Sequence, residues 1–180
     1  MAAQSATPLL KVEGLKQYFK VNKNFTVKAV DDVSFYINKG ETLGLVGESG
    51  CGKSTTGRTV VRLNKPTAGS VTFEGHDLFA KMNRQQNMDL TQKIQIIYQD
   101  PYSSLDPRFT VGRCIEEPLI VHHMGNKEER RARVLQLMHD VGLREEVYTR
   151  YPHEFSGGQR QRIGVARALA LDPKLVVCDE

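Results

Sequence analysis

The sequence lacks the features that would place it in a membrane, in a secretory route or on nucleic acid. No apolar run approaches the roughly 18 residues of a membrane-spanning helix, and the first eight residues have neither the basic start nor the apolar stretch of a signal peptide. The net charge is only +4, and its basic side chains are interspersed with acidic ones. We therefore expect no membrane span, no signal peptide and no nucleic-acid partner.

Cysteine is also scarce. The three cysteines, Cys51, Cys114 and Cys178, form no C-x-x-C pair, so neither a disulfide framework nor a zinc site is expected, and we predict reduced thiols. No internal repeat or low-complexity linker interrupts the chain. With 180 residues, 39% hydrophobic and 26% charged, the chain suits one globular domain with a substantial core.

The most informative stretch is a glycine-rich segment from Gly47 to Ser54, which fits G-x-x-x-x-G-K-[ST] at every fixed position. In such a phosphate-binding loop (P-loop), glycines let the backbone turn around a phosphate chain with its N–H groups inward. Lys53 then reaches the β- and γ-phosphates, and Ser54 offers its hydroxyl to Mg²⁺. The context fits, because apolar residues 43–46 predict a buried strand and residues 54–63 a helix. The phosphate-binding residues are predicted to be Gly47, Glu48, Ser49, Gly50, Cys51, Gly52, Lys53, Ser54 and Thr55.

A second motif lies at residues 155–162. Ser156 and Gln159 have the S-x-x-Q spacing of a capping box, so a helix should begin here and run to about Leu171, before Pro173. Two glycines in its first turn weaken the helix by about 1 kcal/mol each relative to alanine. Bare backbone at this cost indicates that a ligand approaches closely.

These motifs resemble those of the ABC-type ATPases (ATP-binding cassettes). Residues 156–159 are similar to the family's signature motif, and residues 175–180 to its Walker B strand with the catalytic glutamate. Gln99, directly after apolar residues 94–98, matches the Q-loop glutamine. Phe155 opens the signature motif at a position where leucine is commoner in the family, and it keeps that position apolar. The resemblance covers about residues 9–180.

The resemblance implies an α/β fold of the P-loop NTPase class. It implies a partial ABC-type nucleotide-binding domain over residues 1–180, with an antiparallel β-subdomain and a helical subdomain. The patterns agree, since alternating apolar residues at 33–37 and 71–73 predict two half-buried strands. Residues 102–154 resemble the helical subdomain. A capping pair at Asn126 and Glu129 predicts one helix, ended by Gly142, and residues 111–119 predict another, bent or broken near Pro118.

The resemblance also assigns roles for binding and hydrolysing ATP. It implies Mg²⁺ ligands at Ser54, Gln99 and Asp179, and a catalytic base at Glu180. It implies that the adenine stacks on an aromatic side chain of an early strand. Spacing favours Phe19, with Tyr18 as the alternative. At most one of them can stack, because neighbouring strand residues face opposite ways.

The signature motif implies a dimer. In the family, this helix start faces the γ-phosphate held by the partner's P-loop, so a second ABC ATPase subunit, identical or different, is expected. The residues concerned are Ser156, Gly157, Gly158 and Gln159.

The pattern around residues 99–108 and 151–155 is similar to the ATP-binding subunits of oligopeptide and dipeptide importers. This implies a peripheral protein at the cytoplasmic face of the inner or plasma membrane. Two transmembrane permease subunits are the expected partners, with an extracytoplasmic peptide-binding protein as an indirect one. The alternatives are import of nickel or glutathione, or an ABC ATPase outside transport, for example in phosphonate metabolism.

The family pattern continues beyond Glu180 with a D-loop and a switch histidine, and no histidine of this sequence follows the signature motif. We therefore expect an N-terminal fragment of a longer protein, with the C-terminal part of the domain missing. Residues 1–180 alone should fold poorly and hydrolyse ATP very slowly, because a central parallel strand needs neighbours on both sides.

Overall fold

The structure is a computed structural model that describes residues 7–179. The chain divides into two compact units, up to Met82 and from Asn83. The first contains β1 (Leu10–Lys20), β2 (Thr26–Ile37), α1 (Lys53–Val60), β3 (Ala68–Phe73) and β4 (His76–Asp77). The second contains α2 (Arg84–Lys93), β5 (Ile94–Ile97), α3 (Val111–Val121), α4 (Lys127–Asp140), α5 (Gly157–Leu169) and β6 (Leu175–Cys178), with short 3₁₀ turns at Glu145–Val147 and Pro152–Glu154.

The first unit is built on an antiparallel sheet with strand order β2-β1-β3-β4. Val12 of β1 pairs with Val71 of β3, and Leu10 pairs with Phe73, so that four buried side chains line one region of the sheet. In β2, partly buried and exposed residues alternate from Val33 onward, as the sequence predicts. The predicted antiparallel sheet is confirmed.

The strand predicted before the P-loop is wrong. Residues 43–46 have no strand conformation, and Val46 is 96% exposed. A strand exists only where a neighbour supplies its ladder hydrogen bonds, and within residues 7–179 no strand pairs with this segment. Residues 43–46 would form a buried strand only beside another strand that pairs with them.

The second unit has a helical core formed by α3, α4 and α5. Its fully buried side chains include Val111, Ile115, Val134, Met138 and Ile163. The predicted capping box of α4 is confirmed. The Asn126 side chain accepts from the Glu129 N–H at 2.9 Å, and the Asn126 N–H donates to the Glu129 carboxylate at 2.7 Å.

Helix α3 is not broken at Pro118, contrary to one of the two outcomes expected. It continues to Val121, and the N–H of His122 donates to the Pro118 carbonyl oxygen at 3.0 Å. Proline has no backbone N–H, so the helix lacks the hydrogen bond from residue 118 to the carbonyl oxygen of Cys114. Because Pro118 lies in the last turn, the helix loses little by this.

A pair of parallel strands completes the second unit. β5 and β6 run side by side, with Ile94 opposite Leu175 and Ile97 opposite Cys178. The chain leaves both strands at the same edge, which is where parallel sheets place their ligands.

Candidate nucleotide-binding site

The P-loop backbone depends on glycine at its end. Gly50 and Gly52 both have positive φ, of 80° and 98°. A Cβ atom at Gly52 would lie 2.2 Å from the carbonyl oxygen of Ala29 in β2, so no other residue fits there. The loop is therefore pressed against β2 immediately before α1 begins.

Lys53 lies inside the turn of this loop. Its ammonium group donates to the carbonyl oxygen of Gly47 at 2.9 Å and to that of Glu48 at 2.8 Å. The lysine thereby fixes the curvature of the loop, and it holds a positive charge next to the loop backbone. A phosphate chain placed in this turn would meet that charge at short range.

The first turn of α1 has free polar groups. Gly52 is the N-cap residue, and no side chain caps the helix. Thr56 and Thr59 donate their hydroxyls to carbonyls of their own helix, at 3.0 and 2.8 Å. Within the described part of the chain, the hydroxyl of Ser54 makes no hydrogen bond. The amides and the hydroxyl at this helix start suit an anion and its counter-ion.

The second unit carries Gln99 and Asp179 at one sheet edge. Gln99 follows β5 and is exposed, whereas Asp179 follows β6 and is only 7% exposed. The N–H of Asp179 donates to the carbonyl oxygen of Ile97 at 2.9 Å, which holds the ends of β5 and β6 together. Glu180, the predicted catalytic base, lies outside the described residues.

The start of α5 has the predicted cap. Ser156 is the N-cap residue, its hydroxyl accepts from the N–H of Gln159 at 3.4 Å, and its N–H donates to the Gln159 side chain at 3.1 Å. A Cβ atom added at Gly157 or at Gly158 would meet nothing within 4 Å. Packing within this chain therefore does not require either glycine.

The two candidate adenine-stacking residues differ in their surroundings. The Tyr18 hydroxyl hydrogen-bonds to Asp31, which raises the pKa of Tyr18, and the Lys28 ammonium lies 5.3 Å from the centre of its ring. Phe19 is 41% exposed and has no such contact among the ring interactions of the described residues. The Tyr18 side chain is thus already engaged by Asp31 and Lys28, whereas the exposed ring of Phe19 is accessible for stacking.

The predicted site residues are divided between the two compact units. Phe19 and residues 47–55 belong to the first unit. Gln99, Asp179 and residues 156–159 belong to the second.

A cleft of about 590 Å³ opens in the second unit, between β5, the segment after Gln99, α3 and α5. Its lining includes Tyr98, Ser104, Pro118, Val121, His122 and Arg167. Burial lowers the pKa of His122, so that its imidazole is held toward the neutral form. The sequence analysis did not identify this cleft, because its walls come from segments far apart in the chain.

A sequence profile of the ABC transporter family matches residues 30–180. The chain belongs to the ABC transporter family. The resemblance drawn from its motifs is confirmed. None of the helices in residues 7–179 is both long enough and apolar enough to span a membrane.

Individual family members are closely similar. The chain is 56% identical over 173 residues to the oligopeptide transport ATP-binding protein OppF of Bacillus subtilis (strain 168), covering 96% of this chain and 56% of that protein. It is 49% identical over 188 residues to the dipeptide transport ATP-binding protein DppF of Escherichia coli (strain K12), covering 100% and 56%. The chain thus spans about half the length of the curated relatives it matches.

The fold agrees with a solved ABC cassette. The dimeric, post-hydrolysis structure of the ATP-binding cassette MJ0796, bound to ADP and Pi, superposes with a TM-score of 0.85 at 30% identity. The alignment covers 94% of this chain and 72% of that one. The expected ABC-type α/β fold is therefore confirmed.

Proposed function

We propose that this chain binds and hydrolyses ATP to power an ABC importer for oligopeptides or dipeptides. The observation that carries the proposal is the P-loop, which curves around the Lys53 ammonium and ends on an uncapped helix start. The names of the two relatives, an oligopeptide and a dipeptide transport ATP-binding protein, supply the cargo class.

ATP fits the groups of the first unit. Lys53 and the amides of residues 47–55 hold the β- and γ-phosphates, and Phe19 stacks on the adenine. The exposed ring of Phe19 and the unengaged hydroxyl of Ser54 support these roles.

Mg²⁺ fits the donor set of Ser54, Gln99 and Asp179, which offers a hydroxyl, an amide and a carboxylate oxygen. Hard oxygen ligands of this kind suit Mg²⁺ better than they suit zinc or copper. When bound, the ion neutralises charge on the transferred phosphate. Glu180 follows Asp179 and acts as the general base that orients and deprotonates the attacking water.

A second ATPase subunit completes the site in this proposal. The start of α5 faces the γ-phosphate held by the partner, and the open space around Gly157 and Gly158 supports this role. The partner is identical or a related ATPase.

Two transmembrane permease subunits are the remaining direct partners, and an extracytoplasmic peptide-binding protein is an indirect one. We propose that residues 102–154 form the helical subdomain and that the cleft beside Tyr98 receives a helix of a permease subunit. The cleft supports this because its wall continues directly into Gln99, so a docked helix can displace the Q-loop. The chain then works at the cytoplasmic face of the membrane.

The test is Glu180→Gln in the product of the complete gene. The amide keeps the size of the side chain but cannot accept the proton of water, so ATP should still bind while phosphate release stops. Turnover should fall by about 100-fold or more, the scale of a general base. Native turnover in Glu180→Gln contradicts the proposed base, and absence of turnover in the wild type contradicts the proposed function.

A further inference from the structure

The segment after Gln99 is attached to the signature helix α5 at three points. The Tyr102 ring lies over the guanidinium of Arg160, 5.0 Å from ring centre to Cζ. The carbonyl oxygen of Ser104 accepts a hydrogen bond from Arg167. Leu105 is 4% exposed and belongs to the same core cluster as α5.

The two arginines lie seven residues apart, which is two turns, so they project from one face of α5. Arg160 is the first residue after the signature sequence, and its Nε also donates to the carbonyl oxygen of Pro152 at 2.9 Å. This second bond fixes the guanidinium plane beneath the exposed ring of Tyr102. Replacing a planar, stacked arginine by another cation, such as lysine, weakens the contact.

The attached segment also has hydrogen bonds of its own. The Asp100 carboxylate accepts from the N–H of Tyr102 at 2.8 Å, and the Ser104 hydroxyl donates to the carbonyl oxygen of Pro101 at 3.2 Å. These bonds hold residues 100–104 in one turn directly after Gln99.

We propose that Arg160 and Arg167 are positioning residues that make the segment of residues 100–105 and the start of α5 move as one body. When a permease helix in the cleft shifts the segment, the signature glycines shift with it relative to the partner's nucleotide. The inference rests on the proposed function. It adds two residues, outside the phosphate-binding and signature motifs, that link docking to ATP turnover.

The experiment compares Arg160→Gln with Arg162→Gln in the product of the complete gene, assembled with its membrane subunits. Arg162 is the matched control, because it lies on the same helix and donates instead to the carbonyls of Val141 and Gly142, at 3.4 and 3.3 Å. Arg160→Gln should leave the KM for ATP within about twofold and lower the kcat stimulated by the membrane subunits about tenfold. Arg160→Lys, which keeps a cation under the ring, should recover part of the stimulated kcat.

Removing the contact from the other side separates positioning from simple destabilisation. Tyr102→Ala should have the same effect, Tyr102→Phe should have almost none, and the double variant Arg160→Gln/Tyr102→Ala should be no worse than either single variant. Additive losses, or an equal loss in Arg162→Gln, overturn the proposal. Tyr102→Ala also serves if Arg160→Gln does not fold.

A readout without ATP keeps this inference distinct from the proposed function. Amide hydrogen exchange in residues 100–105 should accelerate in Arg160→Gln, and exchange at residues 156–160 should accelerate with it. Unchanged exchange in residues 100–105 contradicts the link, even in a protein that hydrolyses ATP normally. If Arg160→Gln accelerates exchange in both segments but the wild-type protein does not hydrolyse ATP, the link is supported and only the proposed function is rejected.

Discussion

Asp179 donates its backbone N–H to the carbonyl oxygen of Ile97, 2.9 Å away. This hydrogen bond extends the pairing of β5 and β6 by one residue beyond Cys178, the last residue of β6, so Asp179 leaves the sheet beside the end of β5. The amide of Gln99 and the carboxylate of Asp179, the two Mg²⁺ ligands proposed in this unit, thereby follow adjacent strands. The relationship is fixed by backbone pairing and does not depend on any side-chain rotamer.

Gly158→Ala should make the protein more stable and less active. The residue lies in the first turn of α5, and an added Cβ meets nothing within 4 Å in this chain. Alanine should therefore raise the free energy of unfolding by about 0.5–1 kcal/mol, measured by urea denaturation. The same methyl group faces the partner's nucleotide in the proposed dimer, so ATP-dependent dimerisation should weaken. A less stable variant, or a stable one that dimerises normally, contradicts this account of the glycine.

Phe19→Ala should weaken ATP binding, whereas Tyr18→Ala should not. Loss of one stacked base costs about 1–3 kcal/mol, which corresponds to a Kd raised roughly 5- to 150-fold. Affinity for inorganic tripolyphosphate, which has no base to stack, should not change in either variant. Calorimetry with both ligands makes the comparison. If Tyr18→Ala loses ATP affinity and Phe19→Ala does not, the assignment belongs to Tyr18.

Val121→Arg should prevent docking of the membrane subunits. Val121 is 52% exposed at the end of α3 and lines the cleft, where a long charged side chain would be buried by the helix proposed to dock there. Stimulation of ATP turnover by the membrane subunits should fall about tenfold, the effect of losing one strong interface residue. Val21→Arg is the control, since Val21 is 62% exposed and lies outside the cleft, on the first unit. Equal effects of the two variants would remove the cleft from the proposed interface.

Cys114 should be inert in the folded protein. It is 2% exposed, and burial raises the pKa of its thiol to about 11, so almost no thiolate is present at pH 8. A maleimide should label the exposed Cys51 quickly and Cys114 only after unfolding. The same shift should make the free energy of unfolding fall as the pH rises from 9.0 toward 11, because the unfolded thiol ionises first. Mass spectrometry of labelled peptides, and thermal unfolding of Cys114→Ala as the control, test the two statements.

Local sequence signals predicted the elements whose partners are close in the chain. The capping boxes at Asn126 and at Ser156 fix two helix starts by side-chain to backbone bonds within three residues, and both are present. The positive φ of Gly50 in the P-loop is likewise a local feature, because a Cβ added there would meet nothing within 4 Å. Such features are readable because their energetics are local.

Features that depend on distant residues were not predicted, or were predicted wrongly. The apolar run at residues 43–46 indicated a strand, but strand formation depends on a neighbour that the run does not encode. Arg160 and Tyr102 are 58 positions apart, and nothing in either local pattern indicates that they stack. Arg160, a basic residue beside the signature motif, indicates that an aromatic or acidic side chain contacts it, but the sequence does not indicate which one.

The most direct test of the account is a calorimetric titration of Mg-ATP into the wild-type product of the complete gene and into its Lys53→Ala variant, with Lys81→Ala as the control. Lys81 is an exposed lysine outside the P-loop. Lys53→Ala removes charge-assisted hydrogen bonds to phosphate, so the loss should be about 2–3 kcal/mol, a Kd raised roughly 30- to 150-fold. Lys81→Ala should bind as the wild type does. Equal affinity of Lys53→Ala and the wild type would show that the loop around Lys53 is not the ATP site, and would contradict the account.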